Sequence, residues 1–193
     1  VACERRPIIA RTVEEISSSS TIAGSASTTT RLPEKWTATS NSGPSSCSAI
    51  ANTSSRLAER RLPDTPVLPV PDVADSAELL LLTGPESELA GLVNGLAATG
   101  AVRRGTIVVH TAGDNGVGIL APLAEQGCVP LAIHPAMTFT GSDDDVVRLG
   151  ETCFGITAAD EIGYAIAQSL VLEIGGEPFR VREDARTLYH AAL

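Results

Sequence analysis

Residues 79–93, LLLLTGPESELAGLV, and 105–139, GTIVVHTAGDNGVGILAPLAEQGCVPLAIHPAMTF, decide how this chain folds. The run over 78–83 reads as a strand buried on both faces, the pattern of a parallel sheet. A helix is expected directly after it. Pro85 suits its first turn, Glu86 and Glu88 suit the positive end of its dipole, and Leu89, Leu92, Val93 and Leu96 fall on one face. Residues 106–110 form the next buried strand, and the turn GDNGVG (113–118) leads into the helix ILAPLAEQG (119–127), with Gly127 as its C-terminal cap. A further strand is VPLAIHP (129–135).

Working outward, FGITAAD (154–160) reads as a strand ending in an N-cap. The helix EIGYAIAQSLVLEIGG (161–176) follows, with Ile162, Ala165, Ile166, Leu170 and Ile174 expected inward. EPFRVRE (177–183) gives a last strand, and DARTLYHAAL (184–193) begins another helix. On the other side, RLAERRLPD (56–64) looks like a helix end stopped by Pro63, and PVLPVPDV (66–73) like an extended segment broken by prolines. Strands alternating with helices at this spacing imply an α/β fold with a mainly parallel sheet and right-handed crossovers.

Residues 1–46 have a different character, dominated by SSSSTIAGSASTTT (17–30) and TATSNSGPSS (37–46). No period of 2 or 3.6 persists there, and such a composition buries too little apolar surface to offset ordering entropy, so disorder is the expectation. The exception is RPIIARTVEEI (6–16), which suits a short strand or helix.

Composition narrows the function. A formal net charge of −9 and a pI of about 4.8 disfavour nucleic acid as a partner, and 3% aromatic residues leave little for base stacking. Cys3, Cys47, Cys128 and Cys153 lack C-x-x-C spacing, so free thiols in a reducing compartment are expected, with no metal site. No signal-like or membrane-spanning run occurs, and the expected location is the cytoplasm. A P-loop, a G-x-S-x-G elbow and zinc-hydrolase histidine spacing are all absent.

In an open α/β sheet the ligand lies beyond the carboxyl ends of the strands, where strand order reverses. The candidates there are Ser48 with Asn52, Ser54, Ser55 and Arg56; the turn Thr83, Gly84 and Pro85; and His110 and His134. With no acidic residue at the end of the second strand, hydroxyls and Arg56 could accept a 2′-phosphate; a surface polar loop is the alternative. Gly84 would let the backbone approach a ribose or nicotinamide ring, or be an ordinary turn residue. His110 and His134 could exchange protons near neutral pH, or be satisfied core histidines. GDNGVG lacks the glycine order of a dinucleotide fingerprint and fits a substrate-side turn or an N-cap by Asp114 or Asn115. Asp143, Asp144 and Asp145 read as a solvated helix start rather than a cation site.

The combination of VVHTAGDNGVGILAPL (108–123) with AIHPAMTF (132–139) resembles a Rossmann-like family of NADP-dependent oxidoreductases, known from actinobacterial proteins, whose second domain is a helical domain of unknown function. The chain is similar more distantly to pyrroline-carboxylate, ketopantoate and deazaflavin-dependent NADP reductases, and the resemblance covers 47–193. It implies NADP as cofactor, hydride transfer to a small carbonyl or imine substrate, and a homodimer in full-length relatives only. Three departures stand out. The family's opening strand and glycine-rich loop should lie just before Cys47 but are missing or replaced; Thr83-Gly84-Pro85-Glu86 differs from the usual Pro-Asp turn; and little follows Tyr189-His190-Ala191. The expected organisation is a disordered or non-native segment over 1–46, an incomplete NAD(P)-binding domain over 47–182, and the start of a truncated helical domain over 183–193. The alternative is a non-catalytic remnant or a small α/β binding module that has lost its cofactor loop, and inactivity is the expectation for this chain.

Overall fold

The computed structural model describes residues 9–12, 50–51 and 65–193. Seven strands form one sheet in the order β2-β1-β3-β4-β5-β6-β7. They are β1 (Ile9–Thr12), β2 (Ile50–Ala51), β3 (Leu79–Leu82), β4 (Ile107–His110), β5 (Val129–Pro135), β6 (Cys153–Ala158) and β7 (Glu177–Arg180). All neighbours run parallel except β5 and β6, which are antiparallel. The mainly parallel α/β sheet read from the sequence is therefore the observed one. Strand order reverses between β1 and β3, which makes their carboxyl ends the topological switch point.

The place of the opening strand is filled by Ile9–Thr12, paired in register with Leu79 to Leu82. The family pattern put that strand just before Cys47; the sheet instead takes the apolar exception within 6–16. The remainder of 1–46 and the expected helix end at 56–64 lie outside the described residues.

Among the described residues six helices accompany the sheet: α1 (Val70–Ser76), α2 (Glu86–Thr99), α3 (Ala121–Ala124), α4 (Asp144–Leu149), α5 (Glu161–Ile174) and α6 (Arg186–Ala191). Single 3-10 turns precede α3 at Val117–Leu120 and α6 at Glu183–Ala185. The segment 66–73 is extended only as far as Pro69. Pro71 then occupies the first turn of α1, where a fixed φ and a missing N–H suit a helix start, so proline initiates here rather than breaks.

One face of β3 and β4 packs Leu80, Leu82 and Val108 against Leu89, Val93 and Leu96 of α2 and against Leu120 and Leu123. Each fully buried aliphatic side chain there contributes on the order of 1.5–3 kcal/mol. The helix α2 stops at Gly100, whose φ of 62° lies in the left-handed region. On the opposite face, Val109, Leu131, Ile133, Phe154 and Ile156 meet Ala167 and Val171 of α5. That helix starts on Asp160, whose side chain accepts from the Gly163 amide at 2.7 Å. Its inward stripe differs from the expected one. Gly163, Ala167 and Val171 are buried, with Ile166, Leu170 and Ile174 packed beside them, whereas Ile162 is 73% exposed and Ala165 is exposed. Small residues line the centre because the helix sits close on the strands, and Gly163 comes against Leu131 and Ala158.

Among the described residues no helix is long and apolar enough to cross a membrane.

Candidate functional site

Parallel register places Leu82, His110 and Ala132 in one row across β3, β4 and β5, with Thr157 of β6 continuing it. The strand β5 runs three residues past that row, to Pro135. Side chains alternate along a strand, so His110, Ala132 and His134 share a face. Both rings thus turn to one side of the sheet. The backbone then gives them different work.

His110 is fully buried. Its Nδ1 accepts from the Ala112 amide at 3.2 Å and its Nε2 lies 2.9 Å from the Gly116 carbonyl, so one tautomer satisfies both nitrogens with backbone. Burial lowers its pKa to about 4, against the smaller opposing effect of the Gly116 carbonyl. The ring therefore stays neutral and holds the GDNGVG turn in shape. Neither nitrogen remains to take up a substrate proton.

His134 is half-buried, and its Nδ1 lies 2.9 Å from the Tyr189 hydroxyl. Its ring stands edge-on to Tyr189 and to His190, with centroids 5.6 and 5.5 Å away. Burial, then the positive charge or partial charge of His190, Arg186 and His110, lowers its pKa to about 4. Its Nε2 faces Gly113, where an added Cβ would come within 2.9 Å. Residue 113 has no side chain, and the His190 ring fills the place one would take, so the turn packs against both rings.

The segment around α6 completes this site from far along the chain. Arg186 is buried and spans β5 and β6: its Nε donates to Thr157 Oγ1 at 2.7 Å, and its Nη2 to the carbonyls of Ala132 and Gly155 at 2.9 and 3.0 Å. Glu183 reaches back to GDNGVG, where its carboxylate accepts from the Val117 and Gly118 amides at 2.8 and 2.9 Å. Sequence reasoning offered a cap by Asp114 or Asn115 as one of two readings of this turn, beside a substrate-side turn. Those side chains pair with each other instead, and the first-turn amides take a carboxylate 66 residues away. A helix start prefers an anion of any chain position, so local spacing could not reveal this one.

Thr83, Gly84 and Pro85 form the turn from β3 into α2, with Pro85 as N-cap and its carbonyl accepting from Glu88. They lie at the switch point beside the end of β1. Glu86, one residue on, takes the Asp114 amide at 3.3 Å. Burial and the neighbouring Asp114 carboxylate raise its pKa. Glu86, Asp114 and His190 bring one ligand atom each within 4.8 Å of one another, which joins the β3 turn to the His134 cluster. The aspartates of 143–145 start α4 as expected. Asp145 turns inward and accepts from the Thr140 and Gly141 amides, each at 2.8 Å, which lowers its pKa despite burial.

The expected group at the second strand divides. The strand β2 is Ile50–Ala51, so Ser48 precedes it in the chain and cannot follow its carboxyl end. Parallel pairing with Arg11 and Thr12 sets that end at Ala51, and Asn52, Ser54, Ser55 and Arg56 come after it, outside the described residues. A cavity of about 590 Å³ lies by Val117 of the GDNGVG turn, Thr157, Asp160, Tyr164, Arg180 and Glu183, away from His110, His134 and the Thr83–Pro85 turn.

Comparison with solved structures finds the same fold repeatedly. A pyrroline-5-carboxylate reductase from Coxiella burnetii matches with a TM-score of 0.56 at 13% identity, over 76% of this chain and 53% of that one. BF3122 from Bacteroides fragilis, designated an NADP oxidoreductase, matches with a TM-score of 0.55 at 19% identity, over 75% and 54%. A pyrroline carboxylate reductase from Plasmodium falciparum with NADP bound gives 0.50 at 9% identity, over 72% and 48%. The chain thus spans about half the length of these structures, and at such identities the likeness is one of fold. No curated protein sequence matches. Residues 152–193 match a domain of unknown function, DUF2520. The model of the Rossmann-like domain matches residues 37–135, and with the switch-point sheet described above this chain belongs to the Rossmann-like domain family.

Proposed function

We propose that this chain forms the cofactor-binding part of an NADP-type oxidoreductase that reduces a small carbonyl or imine. The observation that carries this reading is the place of His134: half-buried, neutral, and at the carboxyl end of β5 on the same face as the β4 turn. The switch point fits a dinucleotide on the β3 side, where Thr83, Gly84 and Pro85 would border it. Arg56, after the carboxyl end of β2, would take a 2′-phosphate. The reduced nicotinamide supplies the hydride. His134 orients and polarises the acceptor by hydrogen bonding to its oxygen or nitrogen, with the His190 ring as its neighbour over Gly113. His110 serves by keeping the turn rigid.

One observation favours the second reading, a binding module without catalysis: no G-x-G-x-x-G occurs upstream of Leu79. Fluorescence titration of NADPH, with NADH as control and a carbonyl panel for turnover, separates the two. Saturable binding, tighter for NADPH, with oxidation of the cofactor supports the oxidoreductase. Neither binding nor oxidation removes it.

A further inference from the structure

We infer that Tyr189 is a positioning residue that fixes which nitrogen of His134 carries the proton, so that His134 presents an Nε2–H donor beside Gly113. The inference deepens the reading above by giving His134 a defined hydrogen-bonding sense.

The Tyr189 oxygen and His134 Nδ1 are 2.9 Å apart, so one hydrogen lies between them. Two arrangements are open, O–H donating to Nδ1 or Nδ1–H donating to oxygen. The surroundings of the phenol decide. Burial raises its pKa, so it keeps its hydrogen. Its other described neighbours are the Gly155 amide, the Arg186 guanidinium 5.8 Å from the ring centroid, the Phe179 ring and, without a hydrogen bond to the phenol, the Cys153 thiol. Among the described residues His134 Nδ1 is the acceptor within reach, so the phenol donates and Nδ1 is bare. A neutral imidazole then carries its hydrogen on Nε2. Burial first, and then the nearby His190 and Arg186, oppose a second proton on the ring.

The packing is built for this contact. At Gly155, the residue paired with His134 across β5 and β6, an added Cβ would lie 2.8 Å from the Tyr189 oxygen, so any larger residue displaces the phenol. Arg186 anchors α6 through Thr157, Ala132 and Gly155, which fixes Tyr189 one turn later. At the other edge of the ring, His134 Nε2 has no hydrogen-bond partner among the described residues, yet it is not sealed in, since the sole buried side-chain atom without a partner among them is Arg186 Nη1. His110 has the same tautomer with both nitrogens consumed. His134 has it with one donor left over.

The chain has three histidines, so long-range proton–nitrogen NMR correlations on the ¹⁵N-labelled full chain resolve each ring. The expected wild-type pattern for His134 is Nε2–H with an unprotonated Nδ1. In Tyr189→Phe, which keeps the ring packing, both tautomers should be populated and the titration midpoint of His134 should rise by about one unit. A wild-type ring protonated on Nδ1, or a tautomer ratio and midpoint unchanged in Tyr189→Phe, overturns the inference. The wild-type spectrum alone decides if the variant does not fold. Failure to bind NADPH would remove the oxidoreductase reading and leave this result standing.

Discussion

Glu183 closes over the turn that begins at Gly116: its Oε2 accepts the Val117 amide at 2.8 Å from 66 positions along the chain. With the second bond to Gly118 it performs the work of an N-cap for the 3-10 turn, and it ties the DUF2520 segment to the Rossmann-like one. Glu183→Ala should lower stability by about 1–2 kcal/mol, the usual loss for a cap. An added Cβ at Gly116 would strike the same carboxylate. Gly116→Ala should therefore cost much less in the Glu183→Ala background than in the wild type, and urea melts of the double-mutant cycle measure that difference.

Arg186 is buried and donates to Thr157 and to two strand carbonyls. Arg186→Ala removes three hydrogen bonds and leaves a cavity, with an expected loss of about 3 kcal/mol. Arg186→Lys keeps the charge but not the planar fork, so it should not restore the wild-type urea midpoint. A midpoint equal to wild type in Arg186→Lys would show that the fork geometry is irrelevant.

Two histidines make the fold sensitive to acid. The folded pKa of His110 is about 4, below the unfolded value of 6.5, so between these values the unfolded chain binds the extra proton. Stability should fall as pH drops from about 6.5 to 4, by about 3 kcal/mol for His110 at the lower end, and His134 adds in the same direction. Replacing His110 with Gln should flatten the pH dependence of the urea midpoint over that window. An unchanged slope would mean that His110 does not stay neutral in the folded state.

Arg56 offers the test of cofactor choice. If it holds a 2′-phosphate, Arg56→Ala should weaken NADPH by about tenfold or more and leave NADH unaltered, since a hydrogen bond to a charged group contributes about 1.5–3 kcal/mol. Equal weakening for both nucleotides would point to a structural role instead.

The parallel sheet, the cap at Asp160 and the buried face of α2 follow from local patterns: leucine runs, helix-end chemistry and a 3.6-residue period, each contained within a dozen residues. For the same reason His110 and His134 could be named from their places at strand ends. What those histidines do was beyond the sequence. Two strand-end histidines look alike along the chain; one meets the Ala112 and Gly116 backbone on both sides, and the other meets Tyr189, 55 residues later, on one side only. The position of Ser48 before β2 rather than after it, the filling of the opening strand by Ile9–Thr12, and the outward turn of Ile162 are likewise products of register and close packing. The sequence by itself determined which segments become strands and helices, because that choice depends on neighbours a few residues apart. Only the tertiary structure decided which histidine nitrogens meet a partner among the described residues and which carboxylate caps which turn, because hydrogen bonds and charge act through space between residues that the chain holds far apart.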